Sequence, residues 1–269
     1  MFEININLLL SLFWLGISIG VLLPGLWLLL DGQTNITIIN IILQRFYLFG
    51  KLKNATKDKK KVFSDVPKCY FRHFYIIGLL INIPLFLLYR SSWFLYILFL
   101  CHMLRRLYEC FYIHFYSSNA TMSFIHYLIG IIHYPTVGLT IIVDNYYGVK
   151  HFSLLCSCFA LVLFLNASYI QYHVHSTLAN NRRTKTTEIY PIPYGYWLFE
   201  YFSCPNYIAE IFIYISFYLL SQQTLTFMFL TMWVIINQSL SALLTHRWYC
   251  EHYHGSYPAK RCALIPLIL

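Results

Sequence analysis

YPIPYGYWLFEYFSCPNYIAE, residues 190–210, is the longest break from membrane-like composition in the second half of a 269-residue chain. Pro191, Pro193 and Gly195 keep it from starting as a regular helix, since proline lacks a donor and pushes its predecessor out of the α region. An aromatic block follows (Tyr194, Tyr196, Trp197, Phe199, Tyr201, Phe202), then SCPNYIAE. Pro205 suits the first turn of a new helix, with Ser203 or Cys204 as N-cap and Glu210 inside it. Apolar residues resume at Ile211, so Asn206 and Glu210 are carried to the edge of a bilayer or into it. Polar groups at that depth are costly and face a protein interior or a water-filled cavity. The stretch is therefore either an interfacial loop with its rings at headgroup level or the wall of a ligand pocket.

Composition decides the class around it. The chain is 59% hydrophobic and 11% charged, where a soluble domain carries about a quarter charged residues. An all-α, polytopic membrane protein is expected. The net charge of +9 does not point to nucleic acid, because Lys and Arg gather in short hydrophilic islands, the mark of cytoplasmic loops. Eight cysteines show no CxxC pair and most lie in apolar runs, so neither a disulfide framework nor a zinc site is expected.

About seven spans are predicted, at residues 6–30, 66–88, 93–115, 123–143, 152–172, 206–220 and 225–244, with a weaker interfacial piece at 36–49. The basic run 51–61 places that loop in the cytoplasm and the N-terminus across the membrane. The loop 179–187 and the tail, with Arg247, Lys260 and Arg261, follow on the cytoplasmic side, while Asp144, Asn145 and Tyr146 form a turn on the opposite side. In span three, His102, Arg105, Arg106 and Glu109 fall within two turns, and Arg105 with Glu109 reads as a structural pair on one face.

This topology gathers His73, Gln171 with His175, Arg182, Arg183, Tyr190, Asn206, Glu210, His246, Arg247 and Tyr249 toward the cytoplasmic leaflet. Basic, amide and phenolic groups at one depth suit a polyanionic ligand from the cytosol; the aromatic spans behind them suit an oily one from the membrane. That combination describes an enzyme joining a soluble cofactor to a lipid. The pairs His173 with His175 and His252 with His254 do not form the clustered boxes of membrane metalloenzymes, and no metal is expected.

The tail THRWY…YPAKRCALIPLIL resembles the C-terminal signature of the steroid 5α-reductase family, and IPYGYWLFEYFSCPNYIAE resembles that family's IP-x-G…N-Y-x-x-E element. Three stretches are similar to its polyprenol (polyprenal) reductase branch: VPKCYFRHFYIIGLL at 66–80, LRRLYEC at 104–110 and YHVHSTLANNRR at 172–183. The likeness begins at Val66, which divides the chain into residues 1–65, a first span and basic loop, and residues 66–269, a reductase membrane domain. It implies an NADPH-dependent reduction of a double bond conjugated to a carbonyl. In this branch the substrate is the α-isoprene unit of a long polyprenyl aldehyde. The product lies on the route to dolichol for N-glycosylation, in the endoplasmic reticulum membrane, among membrane lipids.

Matched by motif, the family's cofactor contacts fall on Gln171, His175, Arg182 or Arg183, Tyr190, Asn206, Arg247 and Tyr249, with Glu210 from the N-Y-x-x-E element and His246 beside Arg247. Steroid-reducing members carry Asn and Asp where this chain has Gln171 and His175, and hold the ketone with a Glu and a Tyr that align with His73 and Met103. That departure argues against a steroid. His73 is the expected group polarising the carbonyl, helped by His102 or Tyr108. Three alternatives stay open: a steroid or other enone-lipid reductase of the same family, a membrane methyltransferase using S-adenosylmethionine, and a non-enzymatic channel or scaffold.

Overall fold

The computed structural model describes residues 5–30, 65–89, 92–116, 120–149, 153–184 and 190–264. The predicted interfacial piece at 36–49 and the basic loop at 51–61 lie outside them. Seven α-helices stand among the described residues: α1 Ile6–Leu29, α2 Phe71–Tyr89, α3 Trp93–Tyr108, α4 Phe124–Tyr147, α5 Leu154–Thr184, α6 Pro205–Leu220 and α7 Leu225–His252. α3 runs on into a wider turn at Glu109–Ile113. Strands β1 (Asp65–Pro67) and β2 (Thr121–Ser123) pair antiparallel and tie the entry of α2 to that of α4. α1, α2 with its preceding turn, α4, α5 and α7 are long and apolar enough to cross a membrane, and α6 is a shorter apolar helix. The protein is an all-α polytopic membrane protein.

Local chemistry explains the boundaries. The side chains of Asn5, Ser123 and Thr224 cap α1, α4 and α7 by accepting from Leu8, His126 and Phe227. Pro205 opens α6 directly after Cys204, the position where a missing N–H costs nothing. α5 and α7 outrun their predicted ends at 172 and 244, reaching Thr184 and His252. Neither contains proline or glycine, so nothing breaks them where they leave the apolar layer. That extension carries Arg182 and Tyr249 outward on rigid helix rather than on loops.

α1 packs along α7, α2 on α4 and α5 on α6. Ser11 bonds Thr226 at 2.6 Å, and the buried Trp14 indole donates to Thr140 at 2.9 Å. A buried amide locks three helices at once: Asn82 donates to the carbonyls of Gly78 (2.8 Å) and Tyr134 (3.1 Å) and accepts from the Tyr96 hydroxyl at 2.8 Å. Satisfied in this way, it is a fixed register pin rather than a desolvation liability.

Asp144 corrects one expectation. Instead of forming an opposite-side turn it stays in α4, fully buried. Its carboxylate accepts from the Gln222 and Thr224 amides (2.7 and 3.2 Å) and the Thr224 hydroxyl (2.7 Å). It thus staples the α6–α7 turn, whose free N–H groups need acceptors. Asp144→Ala is expected to cost roughly 3 kcal/mol, since it strands buried donors, read as a lowered melting temperature in detergent. An unchanged melting temperature would mean that helix packing alone holds the turn.

Candidate active site

A cavity of about 570 Å³ opens between the helices, within the range of small-molecule and cofactor sites. On α7 its wall is a single face, Trp233, Val234, Asn237, Gln238, Ser241, Thr245 and Tyr249; at helical rise this is about 24 Å of continuous lining. α6 and its entry add Ser203, Cys204, Asn206, Tyr207, Glu210 and Tyr214. The cavity changes character along these helices. Lys68, Arg182, Tyr190 and Tyr249 line one part, Gln171, His175 and Glu210 the middle, and Phe74, Ile129, Trp233, Val234 and Val21 the apolar remainder.

The 190–204 stretch builds the polar part. Gly195 sits at φ +96°, a left-handed conformation that favours glycine, and a 3₁₀ turn at Trp197–Glu200 leads to α6. Tyr194, Trp197 and Tyr201 are exposed, whereas Leu198 and Phe199 are buried. Tyr190, Ser203, Cys204, Asn206, Tyr207 and Glu210 of this stretch line the cavity, as a pocket wall requires. The tail folds back beneath: Ser203 donates its amide to the Cys262 carbonyl and Cys262 its amide to the Tyr201 carbonyl, each at 2.9 Å. Tyr257 donates to the Ser203 hydroxyl at 2.7 Å and stacks on Tyr249, with ring centres 5.3 Å apart. Tyr190 accepts from the Lys68 ammonium at 2.9 Å, while the Arg182 guanidinium lies 5.4 Å from its ring centre. Burial raises the Tyr190 phenol above its usual range, with Arg182 pulling the other way, so the hydroxyl stays protonated.

Deeper in, α3, α5 and α6 meet in a buried ionic cluster. Gln171 accepts from Arg105 and donates to Glu210, both at 2.5 Å. Arg105 and Arg106 both bond Glu109, and Arg106 also donates to the Tyr75 hydroxyl at 3.1 Å. Two guanidinium and two carboxylate groups balance within the cluster. The Arg105–Glu109 pair predicted from spacing is part of it. Glu109, His114 and His175 bring metal-ligand atoms within 4.8 Å of one another. The Arg106 Nη1, however, bonds Glu109 and lies 2.7 Å from His175 Nδ1 and 3.5 Å from His114 Nε2. A guanidinium already fills the place a cation would take.

Of the residues singled out in the sequence, Gln171, His175, Arg182, Tyr190, Asn206, Glu210 and Tyr249 line this cavity. The others are set elsewhere by helix phase. His73 is about 100° around α2 from Phe74, off the face that carries Phe71, Phe74 and Tyr75, and bonds the Tyr127 hydroxyl at 3.0 Å. Tyr108 is half-exposed against Tyr112. His102 is fully buried behind the wall, its Nε2 3.6 Å from Glu210. Arg183, one residue past Arg182, donates to the Ile113 carbonyl. His246 bonds Ser203 at 2.6 Å and so holds a wall residue rather than being one. Arg247 pairs with Glu251 and donates to the Leu28 and Leu29 carbonyls, capping the C-terminus of α1. Met103 is fully buried off the cavity.

The wall also holds Lys68, Tyr75, His133, Tyr214, Asn237 and Gln238, which the sequence reading missed. For the two amides a signal existed: adjacent polar residues in mid-span, on the same face as Ser241 and Thr245. The donors fit a phosphate-bearing dinucleotide. Lys68 and Arg182 supply cations, and the Asn237 and Gln238 amides line the cavity without a hydrogen-bond partner among the described residues.

These features describe a membrane-embedded enzyme in which a polar compartment runs into an apolar one. The sequence pattern of 3-oxo-5-alpha-steroid 4-dehydrogenase matches residues 139–269. The chain is 33% identical to the polyprenal reductase of Homo sapiens, over 84% of this chain and 86% of that protein. It is 30% identical to the polyprenal reductase of Rattus norvegicus, over 95% and 99%, and 32% identical to that of Caenorhabditis elegans, over 82% and 85%. The chain belongs to the steroid 5α-reductase family, in its polyprenal reductase branch. It is accordingly a nicotinamide-dependent oxidoreductase acting on a CH–CH group, which removes the methyltransferase and scaffold alternatives.

Proposed function

We propose that this chain uses NADPH to reduce the α-isoprene double bond of a polyprenyl aldehyde, a step toward dolichol for protein N-glycosylation. It would work in the endoplasmic reticulum membrane, with its C-terminus and the polar mouth of the cavity toward the cytosol. The observation that carries this reading is one cavity with Lys68 and Arg182 in its polar part and Phe74, Ile129, Trp233 and Val234 in its apolar part. A dinucleotide with an extra phosphate suits the first, since guanidinium and ammonium groups recognise phosphate oxygens. An isoprenoid suits the second. The reduced nicotinamide supplies the hydride; the protein orients the conjugated aldehyde, excludes water and carries the charge that develops on its oxygen. Gln171, tethered to Glu210 and Arg105, is a fixed polar surface for the cofactor rather than a mobile side chain. His175, Asn206, Tyr190 and Tyr249 complete the cofactor wall, and His246 holds Ser203 in it.

A steroid is disfavoured because the two positions that hold its ketone in steroid-reducing members, here His73 and Met103, do not line the cavity. The test is NADPH oxidation by the detergent-purified protein with a short polyprenal, an enone steroid and the corresponding polyprenol. Rapid oxidation with polyprenal alone, yielding the α-saturated aldehyde, is expected. Turnover of the steroid at a similar rate would sink the substrate assignment.

A further inference from the structure

The carbonyl role expected of His73 is left without an owner, because that ring lies off the cavity wall. We infer that Tyr214 is the catalytic hydroxyl that holds and protonates the aldehyde oxygen, and that His133 is its positioning residue; this rests on the reductase reading above. Tyr214 stands one turn after Glu210 on α6, so its hydroxyl sits where the ionic cluster gives way to apolar wall. Its ring is fully buried against Phe217 and lies edge-on to His102. Its hydroxyl is 2.7 Å from His133 Nε2 on α4. The His133 ring is held in turn by Trp14, with ring centres 5.7 Å apart, and by Tyr134, at 4.9 Å.

The bond can run in either direction, and the role assigned to Tyr214 requires the one in which the imidazole is the donor. With the Nε2 proton on His133, the imidazole donates to the Tyr214 oxygen, which leaves the phenol O–H uncommitted on a side chain that lines the cavity. Tyr75, another phenol in the wall, accepts from Arg106 and lies against the Tyr134 ring, with ring centres 4.9 Å apart. A donor fixed in an apolar, water-poor pocket is worth far more to a developing oxyanion than the same donor in water.

The step balances as follows. Hydride adds to the β-carbon of the enal and the C=C π pair shifts, so that charge develops on the aldehyde oxygen. Tyr214 gives its proton to that oxygen, forming the enol, while His133 stabilises the phenolate by its N–H bond. The α-carbon then takes a proton passed in from solvent hydronium, which is left as water, and the enol oxygen returns its proton to Tyr214. The net reaction consumes one hydride and one solvent proton and leaves Tyr214 as it began.

The experiment compares wild type with Tyr214→Phe, Tyr75→Phe, His133→Leu and His133→Gln, measuring kcat, KM, NADPH affinity and melting temperature. Tyr214→Phe should lower kcat by about 100-fold or more while NADPH affinity and melting temperature stay near wild type. His133→Gln, which can still donate to the phenol, should recover much of the kcat lost in His133→Leu, a rescue that a packing role would not produce. If wild type turns over another enal or enone lipid instead of polyprenal, the substrate assignment fails and the same comparison is read on that lipid. Unchanged kcat in Tyr214→Phe, or loss confined to Tyr75→Phe, would overturn the inference while leaving the reductase reading intact. A wild-type protein that reduces no enal or enone overturns both.

Discussion

Replacing Glu109 with alanine should prevent recovery of folded protein. The carboxylate is fully buried and bonds both Arg105 and Arg106, whose side chains are 19% and 12% exposed. It also lies 2.8 Å from His175. Arg105, Arg106, Glu109 and Glu210 form a set of zero net charge in surroundings where an unpaired ion cannot be solvated. Removing one partner of such a set costs about 3–5 kcal/mol, a large part of a protein's whole margin of about 5–15 kcal/mol. The half-exposed Arg247–Glu251 pair provides the contrast. Glu251→Ala should change stability by no more than about 1 kcal/mol, because water screens both partners. Monodisperse yield and melting temperature in detergent report both variants. A second substitution, Arg106→Met, should recover part of what Glu109→Ala loses by restoring neutrality. If Glu109→Ala melts within a few degrees of wild type, the cluster is not the ionic keystone of the α3–α5–α6 junction.

The sequence made the architecture legible because a bilayer leaves few options: apolar runs of about 20 residues must be helices. All seven predicted spans correspond to helices among the described residues. Their ends were less legible, as α5 and α7 show, because a helix without proline or glycine continues past the lipid boundary on its own propensity. The candidate site divided along a similar line. Residues in contiguous polar patches, such as Gln171 with His175 and Asn206 with Glu210, fall on one helix face and reach the cavity together. Not every residue matched by motif or alignment did, since one residue is a 100° rotation. Arg182 faces the cavity and Arg183 does not; Phe74 does and His73 does not. Tyr214 and His133 escaped notice because each sits in a largely apolar span, and only the fold shows that they meet.

The second large effect is expected at the mouth of the polar part. Lys68 and Arg182 come from different elements, the turn before α2 and the end of α5, yet converge on Tyr190. Arg182 has no carboxylate partner among the described residues, and a guanidinium poised on an aromatic ring keeps its fork of donors free for a ligand. A lost charge-assisted hydrogen bond is worth about 1.5–3 kcal/mol, so Arg182→Ala should weaken NADPH binding by about 10- to 100-fold. NADH lacks the extra phosphate, so its affinity should change much less, and kcat at saturating NADPH should be largely retained. Lys68→Ala should act in the same direction, with the double variant approaching equal affinity for the two cofactors. Titration of each variant with both nucleotides checks this, and raising the salt concentration should erode the wild-type preference. Equal weakening toward NADPH and NADH would assign Arg182 to the shared part of the dinucleotide; no weakening would leave it a charge at the end of α5 with no part in cofactor binding.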